Sequence, residues 1–390
     1  MRAAGVAGVV GLALTLAACA GPEPDDGASA SPSGPPASTG PATGAPVTPS
    51  DAAPSDTGTA SPVAPRPPEV VASGLEVPWG LAFLPDGSAL VTLRDSAEVV
   101  RVRRGEDPAV VGTVPGVVAG NEAGLLGIAV SPDAGTDDDV AVFVYLTAAQ
   151  DNRVLRMTLS GDTLTPDEVV LAGIPRESYH DGGRIDFGPD GHLYVATGDA
   201  GIPGAAQDPG SLAGKILRMT ADGEPAPGNP TDGSLVLSLG HRNVQGLGWD
   251  PAGRLFASEF GQNTWDELNL ITPGGNYGWP VVEGIGGGGD FVEPLAQWDP
   301  ADASPSGLAV TDDAVYLAAL RGESLWRVPL LPDGATGEPE RLLEGEYGRL
   351  RTVAVGPDGD LWVLTSNTFR GQPRDGDDKV IVLDEDWLTG

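Results

Sequence analysis

Three segments of the sequence concentrate side chains that can do chemistry. The first is Ser178–Arg184, which contains His180, and the second is Gly240–Gly246. The third combines Ser258–Asn269 with Gly274–Pro280. Taken alone, each has an ordinary structural explanation, because a single histidine is more often structural than catalytic and a glycine-rich stretch is first of all a turn. The elements that carry these segments therefore decide whether they form one site.

An internal repeat runs through the region that carries them. Each copy contains a short apolar strand, a turn of the Pro-Asp-Gly type and a second apolar strand. Asp-Gly and Pro-Asp between apolar runs are typical of hairpin turns. The six copies begin at Gly80, Gly127, Ile185, Gly246, Gly307 and Val353. Six repeats of several short strands predict an all-β, six-bladed β-propeller, whereas a β-sandwich, the alternative, does not repeat one motif six times.

The two ends of the repeat region predict how the ring closes. Glu69–Ala72 precedes the first copy and Lys379–Leu383 follows the last, and both have strand character. A propeller must join its first and last blades, so we expect these two segments to share one blade. The folded domain is predicted to span residues 69–390, which contain every Trp, Tyr and Phe of the chain.

The N-terminus is predicted to be a lipoprotein export signal over residues 1–18. Its apolar run of about 16 residues is shorter than a membrane span but suits a signal peptide. The run ends in Leu-Ala-Ala-Cys, which resembles a lipobox, so Cys19 is expected to carry a lipid. The alternative is an ordinary secretory signal followed by an incidental cysteine. Residues 19–68 are rich in Pro, Ser, Ala and Thr and are expected to form a disordered tether.

The charge of the chain limits its partners. A formal charge of -33 argues against nucleic acid or an anionic lipid surface. We therefore expect no nucleic acid partner, and contact with the outer face of the cell membrane only through the lipid anchor.

Taken in order on a propeller repeat, the three segments closely resemble the soluble quinoprotein glucose dehydrogenases and their aldose sugar dehydrogenase relatives. The most specific matches are His180 with Gly183-Arg184, the block Leu239–Gly246, and Asn269–Ile271 with Gly274–Pro280. The resemblance implies oxidation of a sugar by bound pyrroloquinoline quinone (PQQ). The electrons then pass to an acceptor that the sequence does not identify.

The resemblance also implies a role for individual residues. His180 matches the base that takes the proton of the anomeric hydroxyl, and Asp199 matches the carboxylate that orients it. Arg242 and Asn243 match the pair that contacts the quinone carbonyls, and a cation there favours negative charge on oxygen. His192 matches no catalytic position and, like His241, is expected to be structural.

Further cofactor contacts follow from the same comparison. Arg321, Arg349 and Arg351 fall where the family binds the cofactor carboxylates, although Arg321 stands in place of a lysine. Without the resemblance, Arg349 and Arg351 would pass for ordinary strand-edge arginines. Glu122 falls where the glucose enzyme has a glutamine, so it is a departure beside an anionic cofactor.

Calcium is implied in two places. In the family one Ca²⁺ is bound by two successive backbone carbonyls that match Gly261 and Gln262. A second Ca²⁺ is partly bound by carbonyls that match Glu267 and Tyr277. Hard oxygen ligands are the ones that Ca²⁺ prefers.

The substrate side carries the fewest signals. Trp298 is expected to stack on a sugar ring. Two functions of other classes stay open at this point: a calcium-dependent lactonase propeller, which would use acidic and Asn ligands in its channel, and a non-enzymatic recognition propeller.

Overall fold

The computed structural model describes residues 67–133, 139–332, 335–384 and 387. The predicted signal peptide, Cys19 and nearly all of the predicted tether lie outside these residues. Within them, the chain forms six separate four-stranded antiparallel sheets. No helix in the described part is long and apolar enough to cross a membrane.

The six sheets are the blades of a propeller, and their strands are as follows. Blade 1 contains β2 (Pro78–Phe83), β3 (Ala89–Leu93), β4 (Glu98–Val102) and β5 (Ala109–Thr113). Blade 2 contains β6 (Leu125–Val130), β7 (Asp139–Thr147), β8 (Asn152–Ser160) and β9 (Thr163–Ile174). Blade 3 contains β10 (Ile185–Phe187), β11 (Leu193–Ala196), β12 (Lys215–Met219) and β13 (Val236–Leu239), with a 3₁₀ helix at Pro203–Gln207. Blade 4 contains β14 (Val244–Trp249), β15 (Leu255–Glu259), β16 (Asp266–Ile271) and β17 (Ala296–Trp298). Blade 5 contains β18 (Pro305–Val310), β19 (Ala314–Ala319), β20 (Ser324–Pro329) and β21 (Glu340–Leu342). Blade 6 contains β22 (Leu350–Val355), β23 (Leu361–Thr365), β24 (Val380–Leu383) and β1 (Glu69–Ala72).

The ring closes through blade 6, as the sequence predicts. Strand β1, from the start of the domain, pairs antiparallel with β24, from its end. The first strand of each blade packs against the first strand of the next, and β22 packs against β2. The prediction of one shared blade, and of a six-bladed propeller rather than a sandwich, is confirmed.

Hydrophobic side chains fill the spaces between neighbouring blades. Among the described residues the core consists of six clusters, and each lies mainly between two adjacent blades. The cluster between blades 2 and 3 also includes Trp79 of blade 1. Phe143 of blade 2, for example, packs with Leu193 and Leu217 of blade 3. Because each blade buries a face against both neighbours, no blade can be stable alone, and the ring is the unit of stability.

Glycines on the inner strands allow the blades to approach closely around the central channel. A Cβ on Gly127 would lie 2.2 Å from the carbonyl oxygen of Gly183 in the next segment of the ring. A Cβ on Gly80 would lie 2.8 Å from Leu126 O, and one on Gly246 2.6 Å from Ser306 O. The glycine that opens most copies of the repeat is therefore required by the backbone of the neighbouring blade.

We expect Gly127→Ala to lower the free energy of unfolding by about 1–3 kcal/mol, because the added methyl group overlaps a backbone atom that cannot move alone. The measurement is urea denaturation followed by circular dichroism. Gly204→Ala is the matched control, since a Cβ there meets no atom within 4 Å and its backbone is not left-handed. Equal losses in the two variants would show that close approach is not what requires glycine at position 127.

Candidate active site

A cavity of about 330 Å³ lies at the mouth of the central channel. It is formed by segments that immediately precede the first strand of a blade or follow its second strand. These segments lie at the end of the propeller opposite the Pro-Asp-Gly turns. Nine of the predicted site residues line it together: Glu122, His180, Arg242, Asn243, Gly261, Gln262, Arg321, Arg349 and Arg351. Their convergence from five blades is what the propeller prediction required.

A buried arginine lies across the central channel next to this cavity. Arg184 occupies the position of the repeat where four other blades have glycine, and its side chain contacts residues of blades 1, 4 and 6. Its Nε donates to the carbonyl of Gln245 at 2.8 Å, and Nη2 donates to Thr352 Oγ1 at 2.9 Å. The guanidinium lies 4.4 Å from the ring centroid of Trp79. Burial lowers the pKa of Arg184 to about 10, so the group stays charged at neutral pH.

The His180 side chain is held by a carboxylate. His180 Nδ1 lies 2.8 Å from Asp199 Oδ1, and this same oxygen accepts the N–H of Gly201. The other oxygen, Oδ2, accepts the indole N–H of Trp279 at 2.8 Å. Burial acts to raise the pKa of Asp199, but the hydrogen bonds from His180, Gly201 and Trp279 outweigh it and hold the pKa below its usual value. An ionised Asp199 places the proton of the neutral imidazole on Nδ1 and leaves the Nε2 lone pair free to accept another.

Arginines crowd the cavity. Six of its described lining residues are arginines, against the two carboxylates of Glu122 and Asp266. Burial lowers the pKa of Arg351 well below its usual value, and the neighbouring Arg349 lowers it further. The Nε atoms of Arg242, Arg349 and Arg351 are buried and have no hydrogen-bond partner among the described residues. In a chain of charge -33 such a cluster of cations indicates a site for a polyanion.

In the loop after β15, two backbone carbonyls point away from the side chain of Glu283. Glu283 Oε1 accepts the N–H of Gln262 at 2.5 Å and that of Asn263 at 3.3 Å. In a trans peptide the C=O points opposite to the N–H of the next residue, so the carbonyls of Gly261 and Gln262 point away from Glu283. A Cβ on Gly261 would lie 1.9 Å from Trp265 O, which makes glycine necessary in this turn.

The two remaining predicted calcium residues lie apart from the main cavity. Glu267 and Tyr277 line a small buried space together with Glu259 and Glu283. Burial, then the charge of Glu259, raises the pKa of Glu267 to about 8. Among the described residues, no group of three or more His, Cys, Asp or Glu side chains is arranged to hold a metal ion.

The other two histidines have structural surroundings. His241 is fully buried, with Nε2 2.9 Å from Ser238 Oγ and Nδ1 2.8 Å from Glu259 Oε2. Glu259 also accepts the backbone N–H of Arg242, so this network fixes the loop that carries the arginine. His192 lies 3.2 Å from Arg218, among residues that do not line the cavity. Both fit the structural assignment.

The expectation that Trp298 stacks on a sugar is wrong. Its side chain is only 6% exposed and belongs to the core between blades 4 and 5, where its ring lies 5.8 Å from that of Trp326. It is not among the residues that line the cavity. The aromatic rings that do line it are Trp79, Phe260 and Phe369.

Sequence reasoning missed several residues of the site. Trp279 lies in the segment Gly274–Pro280, but only the structure shows that its indole N–H donates to Asp199. Asp266 accepts the N–H of Gly261 at 2.9 Å, and burial raises its pKa to about 6. Arg94 stacks on Phe369, with the guanidinium carbon 3.8 Å from the ring centroid. A position directly after the second strand of a blade is the signal that would have found Arg94.

The fold and the site together define a six-bladed propeller with a hydrogen-bonded His–Asp pair beside an arginine-lined cavity. A family model described as glucose/sorbosone dehydrogenase matches residues 75–372. The chain therefore belongs to the glucose/sorbosone dehydrogenase family and is an oxidoreductase of that class.

Individual relatives agree with this assignment. The aldose sugar dehydrogenase YliI of Escherichia coli is 31% identical over 337 residues, covering 77% of this chain and 90% of the relative. Quinoprotein glucose dehydrogenase B of Acinetobacter calcoaceticus is 34% identical over 255 residues, which are 55% of this chain and 52% of the relative. The solved structure of the PQQ-bound aldose sugar dehydrogenase from Streptomyces coelicolor is 55% identical, with a TM-score of 0.77, and covers 82% of this chain and 99% of its own.

We expect Trp279→Phe to lower the free energy of unfolding at pH 7 by about 1–3 kcal/mol, because it removes a donor from the buried Asp199 carboxylate. The depressed pKa of Asp199 contributes stability that is complete above the unfolded pKa of about 3.9 and is lost as the pH falls through the folded pKa. The deficit of the variant should therefore shrink in acid. Urea denaturation at pH 7 and at pH 3.5 measures it.

Trp362→Phe is the control, because this buried indole packs edge-on against Phe83 outside the site. A deficit in Trp279→Phe that is the same at both pH values would show that the bond to Asp199 does not stabilise its charge.

Proposed function

We propose that this protein oxidises aldose sugars to lactones, with PQQ as its bound cofactor and His180 as the general base. The observation that carries the proposal is the arginine-crowded cavity around an ordered His–Asp pair. The PQQ-bound structure of the Streptomyces coelicolor relative adds support.

The cations of the cavity fit a cofactor with several carboxylates. Three buried guanidinium N–H groups, on Arg242, Arg349 and Arg351, have no partner among the described residues, and an anionic oxygen would satisfy them. Arg321 and Asn243 line the same space and can donate further hydrogen bonds. An anion would also relieve the repulsion between Arg349 and Arg351, which adds to the effect of burial in lowering the pKa of Arg351.

The side chains divide the work of the oxidation. PQQ, when bound, would supply the acceptor for the hydride of the sugar C1. His180 Nε2 takes the proton of the anomeric hydroxyl. As the hydride leaves C1, the C1–O single bond becomes the C=O double bond of a lactone. Asp199 keeps the imidazole in the correct tautomer and stabilises it once it is protonated. Arg242 supplies a fixed positive charge beside the reacting atoms.

Calcium belongs to the same proposal. The carbonyls of Gly261 and Gln262 point away from Glu283, and both residues line the cavity. Two neutral oxygens of this kind suit Ca²⁺ as part of a larger oxygen ligand set. Its positive charge would polarise a carbonyl oxygen in the cavity. Glu267 and Tyr277 are proposed as a second, weaker calcium position through their backbone oxygens.

The experiment that tests the function is a titration of the purified apo-protein. PQQ is added with and without Ca²⁺, binding is followed by quenching of tryptophan fluorescence, and reduction of a dye is assayed with a panel of aldoses. We expect saturable quinone binding and sugar-dependent dye reduction. Binding of aldoses without any oxidation would favour a recognition propeller, and hydrolysis of lactones that needs only Ca²⁺ would favour a lactonase.

We expect His180→Ala to lower turnover by about 10²–10⁴ while PQQ still binds, because the variant loses the base but none of the arginines. Steady-state kinetics at saturating quinone, together with the fluorescence titration, measure both quantities. His192→Ala is the matched control, since His192 pairs with Asp190 and Arg218 away from the cavity. Full sugar oxidation by His180→Ala would rule out this residue as the base.

Export and anchoring are proposed from the sequence alone. A signal peptide over residues 1–18, a lipidated Cys19 and a tether over residues 19–68 would hold the propeller at the outer face of the cell membrane. Cys19 is the single cysteine of the chain, so radioactive palmitate should label the wild-type protein but not Cys19→Ser in expressing cells. Labelling of the serine variant would place the lipid elsewhere.

A further inference from the structure

Glu122 poses an electrostatic problem in this cavity. Its carboxylate lines a space that we propose to bind a cofactor with several carboxylates, and like charges at close range oppose binding. The structure offers it a partner. Arg370 Nη1 donates to Glu122 Oε1 at 3.1 Å, across a separation of 248 positions in the sequence.

The second oxygen of Glu122 holds the backbone of the base. The N–H of His180 donates to Glu122 Oε2 at 3.1 Å. His180 has a φ of 59°, a left-handed conformation that costs energy in a residue with a side chain. The N–H of Glu122 donates in turn to Ser178 O at 3.2 Å, so the two loops are bonded in both directions. Asp199 thus fixes the His180 ring and Glu122 fixes its backbone.

Arg370 is itself held in place by an aromatic ring. Its guanidinium carbon lies 4.9 Å from the ring centroid of Phe369, which carries Arg94 at 3.8 Å. The Arg370 side chain is 51% exposed, whereas that of Glu122 is 25% exposed. The loop after β23 in blade 6 is therefore joined by an ion pair to the segment that precedes blade 2, at the rim beside His180.

We propose that Arg370 is the counter-charge that allows Glu122 to position His180 without repelling an anionic cofactor. The inference rests on the proposed function and extends it to two residues of this chain. Glu122 is a positioning residue, because it acts through the His180 backbone. Arg370 acts through Glu122: it neutralises a carboxylate that the His180 loop needs.

A double-mutant cycle on PQQ affinity tests the charge compensation. Arg370→Gln leaves Glu122 uncompensated and should raise the Kd about tenfold, as expected for a close charge pair. Glu122→Gln removes the negative charge and should leave the Kd unchanged or lower it. In the double variant the Kd should return to within about twofold of the wild-type value, whereas independent effects of the two substitutions would leave it raised about tenfold.

Two outcomes of this cycle overturn the proposal. If Arg370→Gln weakens PQQ equally in the wild-type and the Glu122→Gln background, Arg370 binds the cofactor directly and does not act through Glu122. If Arg370→Gln leaves the Kd unchanged, the ion pair is an ordinary surface pair that solvent screens. Arg327→Gln is the matched control, because Arg327 pairs with Asp313 and Glu340 away from the cavity and should not alter the Kd.

The positioning role has its own readout, which does not need the cofactor. In the apo-protein, Glu122→Ala should speed hydrogen exchange of the His180 amide by at least about tenfold, whereas Glu122→Gln keeps a carbonyl acceptor and should not. In the loaded enzyme, Glu122→Ala should lower kcat more than it changes KM. Unchanged amide exchange in Glu122→Ala would overturn the positioning role. Failure of the wild-type protein to bind PQQ would instead count against the proposed function, and the exchange experiment would still decide the role of Glu122.

Discussion

The close approach of the inner strands is the constraint on which the rest of this molecule depends. Glycines at the start of the repeat bring neighbouring backbones together, and the narrow channel that results can be filled by a single arginine side chain. Next to Arg184, the cavity is bounded by the segments that enter and leave the inner hairpins. The arginines on those segments lie close together, because the segments converge around one cavity.

Much of the architecture could be predicted because it repeats. Six copies of a strand–turn–strand pattern predict six blades, and the segments beside them predict one mouth at which His180, Arg242 and Arg349 meet. The pairing of His180 with Asp199 also follows from a resemblance that covers the domain. These predictions depend on local sequence and on the repeat, because equivalent segments of each blade lie at the same end of the propeller.

The predictions fail where contacts depend on loop conformation. Trp298 lies near the site in sequence, but the alternation of β17 turns its ring into the core between two blades. Glu283 lies beyond a glycine-rich stretch, and its role appears only when the turn of residues 261–265 presents several N–H groups to it. The pairing of Glu122 with Arg370 spans almost the entire domain.

The position of Arg184 across the channel has a kinetic consequence. Arg184 is buried against Trp79, Gln245 and Thr352, so molecules reach His180 from the end of the channel opposite the Pro-Asp-Gly turns. Under the proposed reaction, the sugar and the electron acceptor would then use the same entrance to the cavity. If one reactant at a time occupied that entrance, the proposed oxidation would proceed as two alternating half-reactions, and at high concentration each reactant would compete with the other.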